Sequence, residues 1–139
     1  MMAKRALGTK LQIGTTTPVT VAGLTSIGGL ELSADTIDVT TLDSNGGYRE
    51  FIAGFKDAGE VSLEGYLETE TGKGQKELYD LFESGATEAF IIQFPAETNT
   101  KWEFNGVVTG FSTSADLEDP LGFSATIKVS GAPTLTVTP

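Results

Sequence analysis

The reactive side chains of this sequence are carboxylates. Asp116, Glu118 and Asp119 stand together before Pro120, and Glu68 lies close to Glu70. Two carboxyls facing each other across a cleft are the machinery of glycoside hydrolysis, one as acid and the other as base or nucleophile. The same oxygens suit calcium, but neither cluster has the glycine and terminal glutamate offsets of an EF-hand loop. Both clusters lie in predicted turns beside glycine, proline or threonine, where solvated acids are ordinary. Gly72-Lys73-Gly74-Gln75 opens a predicted helix, and a helix N-terminus can take an anion. The strand and the Lys-Ser/Thr pair of a phosphate-binding loop are not around it. Gly28-Gly29 precedes a strand and so reads as a turn or bulge. The chain has no cysteine and no histidine. Thiol nucleophiles, thiolate metal sites, zinc and haem ligation therefore lose their usual parts. No catalytic, cofactor-binding or metal-ligating residue is assigned, no cofactor is expected, and the chain reads as something other than an enzyme.

The 139 residues make one domain's worth of chain, long enough to bury a core without covalent staples. Nineteen acidic residues against nine basic ones leave a net charge of −10, which argues against a basic groove for nucleic acid. A hydrophobic content of 39% is too high for a disordered acidic chain. Apolar runs fall far short of the ~20 residues that cross a bilayer, so no membrane partner is expected. The start, Met1-Met2-Ala3-Lys4-Arg5-Ala6-Leu7, is basic and lacks the apolar stretch of a signal peptide.

Period-two alternation dominates. Leu7, Leu11 and Ile13 are expected on one face, and Val19 with Val21 forms a short strand after Pro18. Leu30, Leu32 and Ala34 alternate with Glu31, Ser33 and Asp35. The parity then switches to Ile37 and Val39, which predicts a bulge or bend near Asp35-Thr36. Val61, Leu63 and Leu67 face in against Glu60, Ser62, Glu64 and Glu68. Phe90, Ile92 and Phe94 follow the same rule, as do Trp102, Phe104 and Val108, and then Leu121, Phe123, Ala125, Ile127 and Val129. Such one-sided strands belong to antiparallel sheets with one face on a core. The exception is 74–84, where Leu78, Leu81 and Phe82 recur at helical spacing. Thr71 or Gly72 can start that helix, and Gly85 suits its C-terminal cap. The expected fold is mainly β with one packed helix, an antiparallel sandwich or barrel, in a single domain over residues 1–139.

One irregular stretch remains, 42–57, with Tyr48, Arg49, Phe51, Ile52 and Phe55. A loop of that length is functional or disordered. Its aromatic content points to a surface covered in the working state, or to a loop folded back on its own core.

The helix with its Gly85 exit, the strand Phe90-Ile91-Ile92-Gln93-Phe94-Pro95, and the ending Gly131-Ala132-Pro133 come in a telling order. Over about residues 24–135 that order resembles the major tail tube proteins of bacteriophages with long, non-contractile tails. Contractile-tail tubes and type VI secretion rings are similar in fold. The resemblance implies a structural virion protein, made in the host cytoplasm and located in the tail. Such subunits form hexameric rings that stack into a hollow tube, with sheets joined edge to edge into an inner barrel and the helix outside. Its partners are then copies of itself, the tape measure protein, the tail terminator and the tail tip proteins. DNA passes through the lumen without specific binding. Under this reading 42–57 is an assembly loop, so Tyr48, Arg49, Phe51, Ile52 and Phe55 meet a neighbouring subunit or ring. The arm 1–10 offers Lys4, Arg5 and Lys10 to an acidic surface. The strands at 30–40, 60–68 and 121–129 are candidates for the lumen wall, with Glu31, Asp38, Glu64 and Glu68 as lumen acids. A carbohydrate-binding adhesin sandwich, which needs Trp102 facing outward, and an acid-based hydrolase are the readings from other classes.

Overall fold

The computed structural model describes residues 7–14, 18–70, 73–95 and 98–137. Its strands are β1 (Lys10–Ile13), β2 (Val19–Thr20), β3 (Leu24–Gly29), β4 (Ser33–Asp38), β5 (Phe51–Asp57), β6 (Glu60–Tyr66), β7 (Glu88–Gln93), β8 (Thr100–Ser114) and β9 (Gly122–Val137). One helix, α1 (Gln75–Ser84), links β6 to β7. Seven strands form an antiparallel sheet in the order β2-β1-β7-β8-β9-β6-β3, while β4 and β5 pair only with each other.

The alternation read from the sequence builds this sheet. Val61, Leu63, Phe90, Ile92, Phe104, Val108, Phe123, Ala125, Ile127 and Val129 are all buried in one cluster with Leu11, Ile13 and Leu78. Trp102, Leu67 and Phe94 pack against its margin. Phe90 stacks on Phe104 at 5.6 Å between ring centres, and Phe111 links Phe123 to Tyr79 of the helix. Ring pairs at such distances add to the area they bury.

β8 and β9 are the spine, at 15 and 16 residues. Their register breaks between Val108 and Gly110, and again between Glu103 and Asn105. At the second break the β9 partners jump from Thr134 to Ser130, so Gly131, Ala132 and Pro133 bulge out. Gly131 takes a φ of 79°, which a side chain would resist. The bends let one strand pair serve two half-sheets. β7 accompanies β8 only along residues 101–106, and β6 accompanies β9 only along residues 122–128. One half is therefore β2-β1-β7-β8-β9, and the other is β8-β9-β6-β3. The curled sheet does not close. A groove of about 690 Å³, lined by Leu7, Ile27, Phe94 and Pro95, separates β3 from the chain ahead of β1.

Helix α1 matches the expected span, and Gly85 ends it in a left-handed turn, donating its N–H to Leu81 O at 2.9 Å. Its N-cap is Gly74, with no side-chain cap. Thr71 and Gly72, the expected starts, lie outside the described residues, as do Lys4 and Arg5. Gln75 in the first turn does the anchoring. It is fully buried, the one buried polar residue among those described. Its Nε2 donates to Ala22 O at 2.9 Å and Tyr66 O at 2.8 Å, and its Oε1 accepts from Glu68 N at 2.8 Å.

Three expectations are corrected. Phe51–Asp57 is a strand, so only the first part of 42–57 is loop, including a 3-10 turn at Asn45–Gly47. The stretch 30–40 does not alternate against the core: Leu30 is buried, but Leu32, Ile37 and Val39 are exposed. Its pairing with β5 has the expected bulge, a register shift between Ala34 and Thr36, yet neither face of the ribbon lies on a core. Leu7 and Leu121, expected inward with their strands, are exposed.

Replacing Gln75 with alanine is expected to lower unfolding stability by about 3 kcal/mol, because two carbonyls and one N–H lose their partner inside the protein. Urea unfolding of the two proteins measures it. A loss of a few tenths would show that water replaces the amide.

Candidate assembly interface

The ribbon of β4 and β5, with the loop between them, exposes Ile37, Val39, Leu42, Tyr48, Phe51, Ile52 and Phe55. Ile37 stands opposite Ile52, and Asp38 opposite Phe51. Tyr48 is 77% exposed and Phe55 90%. The tip is laced by its own polar groups. Thr40 Oγ1 accepts from Glu50 N at 2.8 Å, Thr41 N donates to Ser44 Oγ at 2.9 Å, and Ser44 Oγ donates to Glu50 Oε2 at 3.0 Å. Arg49 bonds Asp38 at 3.0 Å. The hydroxyl of Thr40 first, then its N–H, and lastly Arg49 hold the Asp38 carboxyl below its ordinary pKa.

The ribbon's base is clasped to the sheet. Asp57 Oδ1 accepts from Gly59 N at 2.8 Å, and Lys128 Nζ of β9 lies 3.1 Å from the same carboxylate. The Gly59 N–H first, and Lys128 second, lower the Asp57 pKa from 3.8. The clasp fixes where the ribbon leaves the sheet.

The half-sheet β3-β6-β9-β8 has an outer face of small polar groups. Register places Gly28, Ser62, Thr126 and Gly110 in one row across all four strands. The next row is Ser26, Glu64, Ser124 and Ser112, and the Ser112 and Ser124 hydroxyls bond each other. Neither row contains a basic residue. β3 ends the sheet on one side. On the other side β8 loses its β7 partner beyond Gly106, so residues 107–114 form a second free edge among the described residues. Open ladders of N–H and C=O groups are templates for another strand.

The expected site residues separate accordingly. Tyr48, Arg49, Phe51, Ile52 and Phe55 all sit exposed on the ribbon. Lys10 is exposed at the start of β1, opposite Gln93. Of the expected lumen acids, Glu64 alone lies in the two rows. Asp38 belongs to the ribbon and pairs with Arg49. Glu31 lies at the ribbon's base, its backbone oxygen 3.2 Å from where a Cβ on Gly59 would stand, and Glu68 follows β6. The free edges at β3 and residues 107–114 were missed. Their signal was present as serine, threonine and glycine at alternate positions of neighbouring strands. Asp116, Glu118 and Asp119 are exposed in the β8–β9 turn, and no acid cluster fit for a metal occurs among the described residues.

Free strand edges and a projecting apolar ribbon are features that suit a structural subunit to assembly. The family described as lambda phage tail tube protein matches residues 12–136, so the chain belongs to that family and is a structural protein of the phage tail tube. No curated protein sequence matches the chain. The fold is similar to the tail of a gene transfer agent particle refined with C6 symmetry, at a TM-score of 0.80 and 21% identity, covering 97% of this chain and 100% of the other. It is also similar to the SPP1 tail tube, at a TM-score of 0.70 and 13% identity, covering 96% and 80%. A sheath/tube terminator of an extracellular contractile injection system shares it at a TM-score of 0.73 and 16% identity, covering 99% of each chain.

Because folding lowers the Asp57 pKa, its contribution is complete above the ordinary carboxylate value of 3.8 and is lost as pH falls through the lower folded value. Protection of the Gly59 N–H, taken relative to its intrinsic exchange rate, is expected to fall in that acid window in the wild type. Asp57→Asn should lack the step. Identical pH profiles in the two proteins would show that the carboxylate is not the clasp.

Proposed function

We propose that this subunit closes into hexameric rings through the free edges of β3 and residues 107–114 of β8, and that the rings stack into the conduit for DNA ejection. The carrying observation is the strand count between those edges. β3, β6, β9 and β8 alternate in direction, so the first and last run oppositely. A rotation about the tube axis then sets β8 of one copy antiparallel to β3 of the next, and the barrel continues without a reversed seam. Heterologous contacts of this kind close when the rotation divides a full turn.

In that ring the two polar rows line the lumen. Each copy contributes Glu64 among serine, threonine and glycine, a wall that repels phosphate, and Lys128 in the row beyond is paired with Asp57. Glu31, Asp38 and Glu68 then lie away from the wall's centre. The ribbon, with Tyr48, Arg49, Phe51, Ile52 and Phe55, covers its apolar side chains against the neighbouring subunit or ring. Lys10 and the arm with Lys4 and Arg5 supply a second contact. Tape measure, terminator and tail tip proteins are the further partners, assembly takes place in the host cytoplasm, and the role is structural and not enzymatic. The family match favours a phage tail over a contractile injection or secretion tube, whose relatives support the fold alone. An adhesin is disfavoured, because Trp102 packs against the core.

The absence of native cysteine makes crosslinking a clean test. Single cysteines along β3, combined with single cysteines along residues 107–114, are expected to join copies under oxidation in an antiparallel ladder. The best partner should move backwards along one strand as the other residue moves forwards. A ladder with parallel sense, or none in assembled tubes, would sink the seam. Hydrogen exchange tests the ribbon separately: residues 48–55 should gain protection in tubes over free subunits, and equal protection in both would refute the ribbon contact.

A further inference from the structure

Asn-Gly occurs twice in the sequence, at Asn45-Gly46 and Asn105-Gly106, and the fold puts the two copies in opposite situations. Asn45 is exposed at the ribbon tip, in the 3-10 turn Asn45–Gly47. In that turn Gly47 N and Tyr48 N donate to Ser44 O and Asn45 O, both at 3.3 Å. Among the described hydrogen bonds, Gly46 N donates none and the Asn45 carboxamide makes none. Gly46 holds a φ of 67°, and its neighbour Gly47 has open space where a Cβ would stand. Asn105 is exposed as well, but it lies inside β8, opposite Ala89 of β7 and Ser130 of β9, where the ladder fixes its backbone. Gly106 is buried beside it, where a Cβ would come within 2.6 Å of Ile127.

We propose that Asn45 is a spontaneous deamidation site of the free subunit and that Asn105 is protected by its strand. The chemistry needs only water and a base. The Gly46 backbone nitrogen, losing its proton to hydroxide, attacks Cγ of Asn45. A carbon–nitrogen bond forms, the bond to the side-chain nitrogen breaks, and that nitrogen leaves as ammonia after taking a proton from water. The resulting five-membered imide is opened by water at one carbonyl or the other, giving aspartate or isoaspartate. A glycine on the C-terminal side leaves the attacking nitrogen unhindered. A tip outside both ladders of the main sheet can swing the carboxamide over that nitrogen, whereas Asn105 can do so only when β8 opens locally.

The product carries a new carboxylate beside Asp43 and Glu50 in a chain already at −10. The isoaspartyl form also lengthens the backbone by one methylene within the turn that Thr41, Ser44 and Glu50 lace together. On the proposed function, this is a tip that must meet another copy, so conversion lowers the competence of unassembled subunits. The site itself rests on the turn and not on the ring.

The test ages purified subunit at mildly alkaline pH and follows the peptides by mass spectrometry, with an isoaspartyl methyltransferase assay alongside. The Asn45 peptide is expected to convert about tenfold faster than the Asn105 peptide or more, the factor by which a modest cost of local opening thins the reactive population. Asn45→Gln should remove the fast phase. Equal rates at the two asparagines, or an Asn45 that stays intact while Asn105 converts, would overturn the proposal. Tube assembly from aged protein reads the consequence, and aged wild type should lose yield while aged Asn45→Gln keeps it. Full conversion with undiminished yield would overturn the consequence and leave the chemistry standing.

Discussion

One side-chain amide holds the working parts of this subunit in register. Gln75 joins the first turn of the helix to Ala22 ahead of β3 and to Tyr66 and Glu68 at the end of β6. A helix of ten residues is marginal alone, and Gly74 gives it no side-chain cap. The amide supplies the missing anchor with both its donors and its acceptor engaged, the arrangement in which a buried polar group stops being a liability. The backbone adds to it, since Ala22 N donates to Lys73 O at 2.7 Å and Tyr66 N to Gly23 O at 2.8 Å. The helix, β3 and β6 thus meet at one knot. Its consequence reaches the surface, because β3 is an open edge of the sheet and the knot sets where that edge points.

The opposite end of β3 carries a different constraint. A two-stranded ribbon is marginal in water without a third strand or a packed face. The β4–β5 ribbon has no packed face, and polar lacing at its tip and the Asp57–Lys128 clasp at its base hold its shape. Both are exposed interactions of small net worth. They orient the ribbon without covering it, so its apolar side chains remain available to another copy. Stiffening such an element beforehand lowers the ordering cost of association.

This contrast explains what could be read from the residues alone. β6 and the first half of β9 alternate because one face is buried, and their faces were legible to the residue; in β7 Phe90 and Ile92 face the core as expected, but Ile91 on the other face is buried too. The helix was legible from Leu78, Leu81, Phe82 and Gly85. Phe51–Asp57 was not legible as a strand, since a ribbon free on both sides has no reason to separate apolar from polar positions. Phe51-Ile52-Ala53 reads as loop for that reason. The partner of Asp38 was not legible for an electrostatic reason, because nothing in its own strand shows that Arg49 folds back to it across the tip. The resemblance carried by the order of elements found the family. The four-strand wall needed the register, which places Ser26, Glu64, Ser124 and Ser112 in one row although they are far apart in sequence.

The acid excess of the chain takes on a narrower meaning in that light. At physiological salt the Debye length is about 8 Å, so a phosphate passing the polar half-sheet responds to the charges nearest it more than to the net charge of the chain. What the phosphate would meet is local: Glu64, hydroxyls and bare backbone. Glu60, nearer the edge of that face, stands opposite Lys128, whose amine is engaged by Asp57, so the base closest to the rows is already neutralised. Small hydroxyl side chains hold water and present no long cationic arm to reach out and pair. On the proposed arrangement, the surface a phosphate meets depends less on the sum of −10 than on which residues occupy two short rows. A single unpaired lysine in those rows would give a phosphate the basic partner that the rows lack.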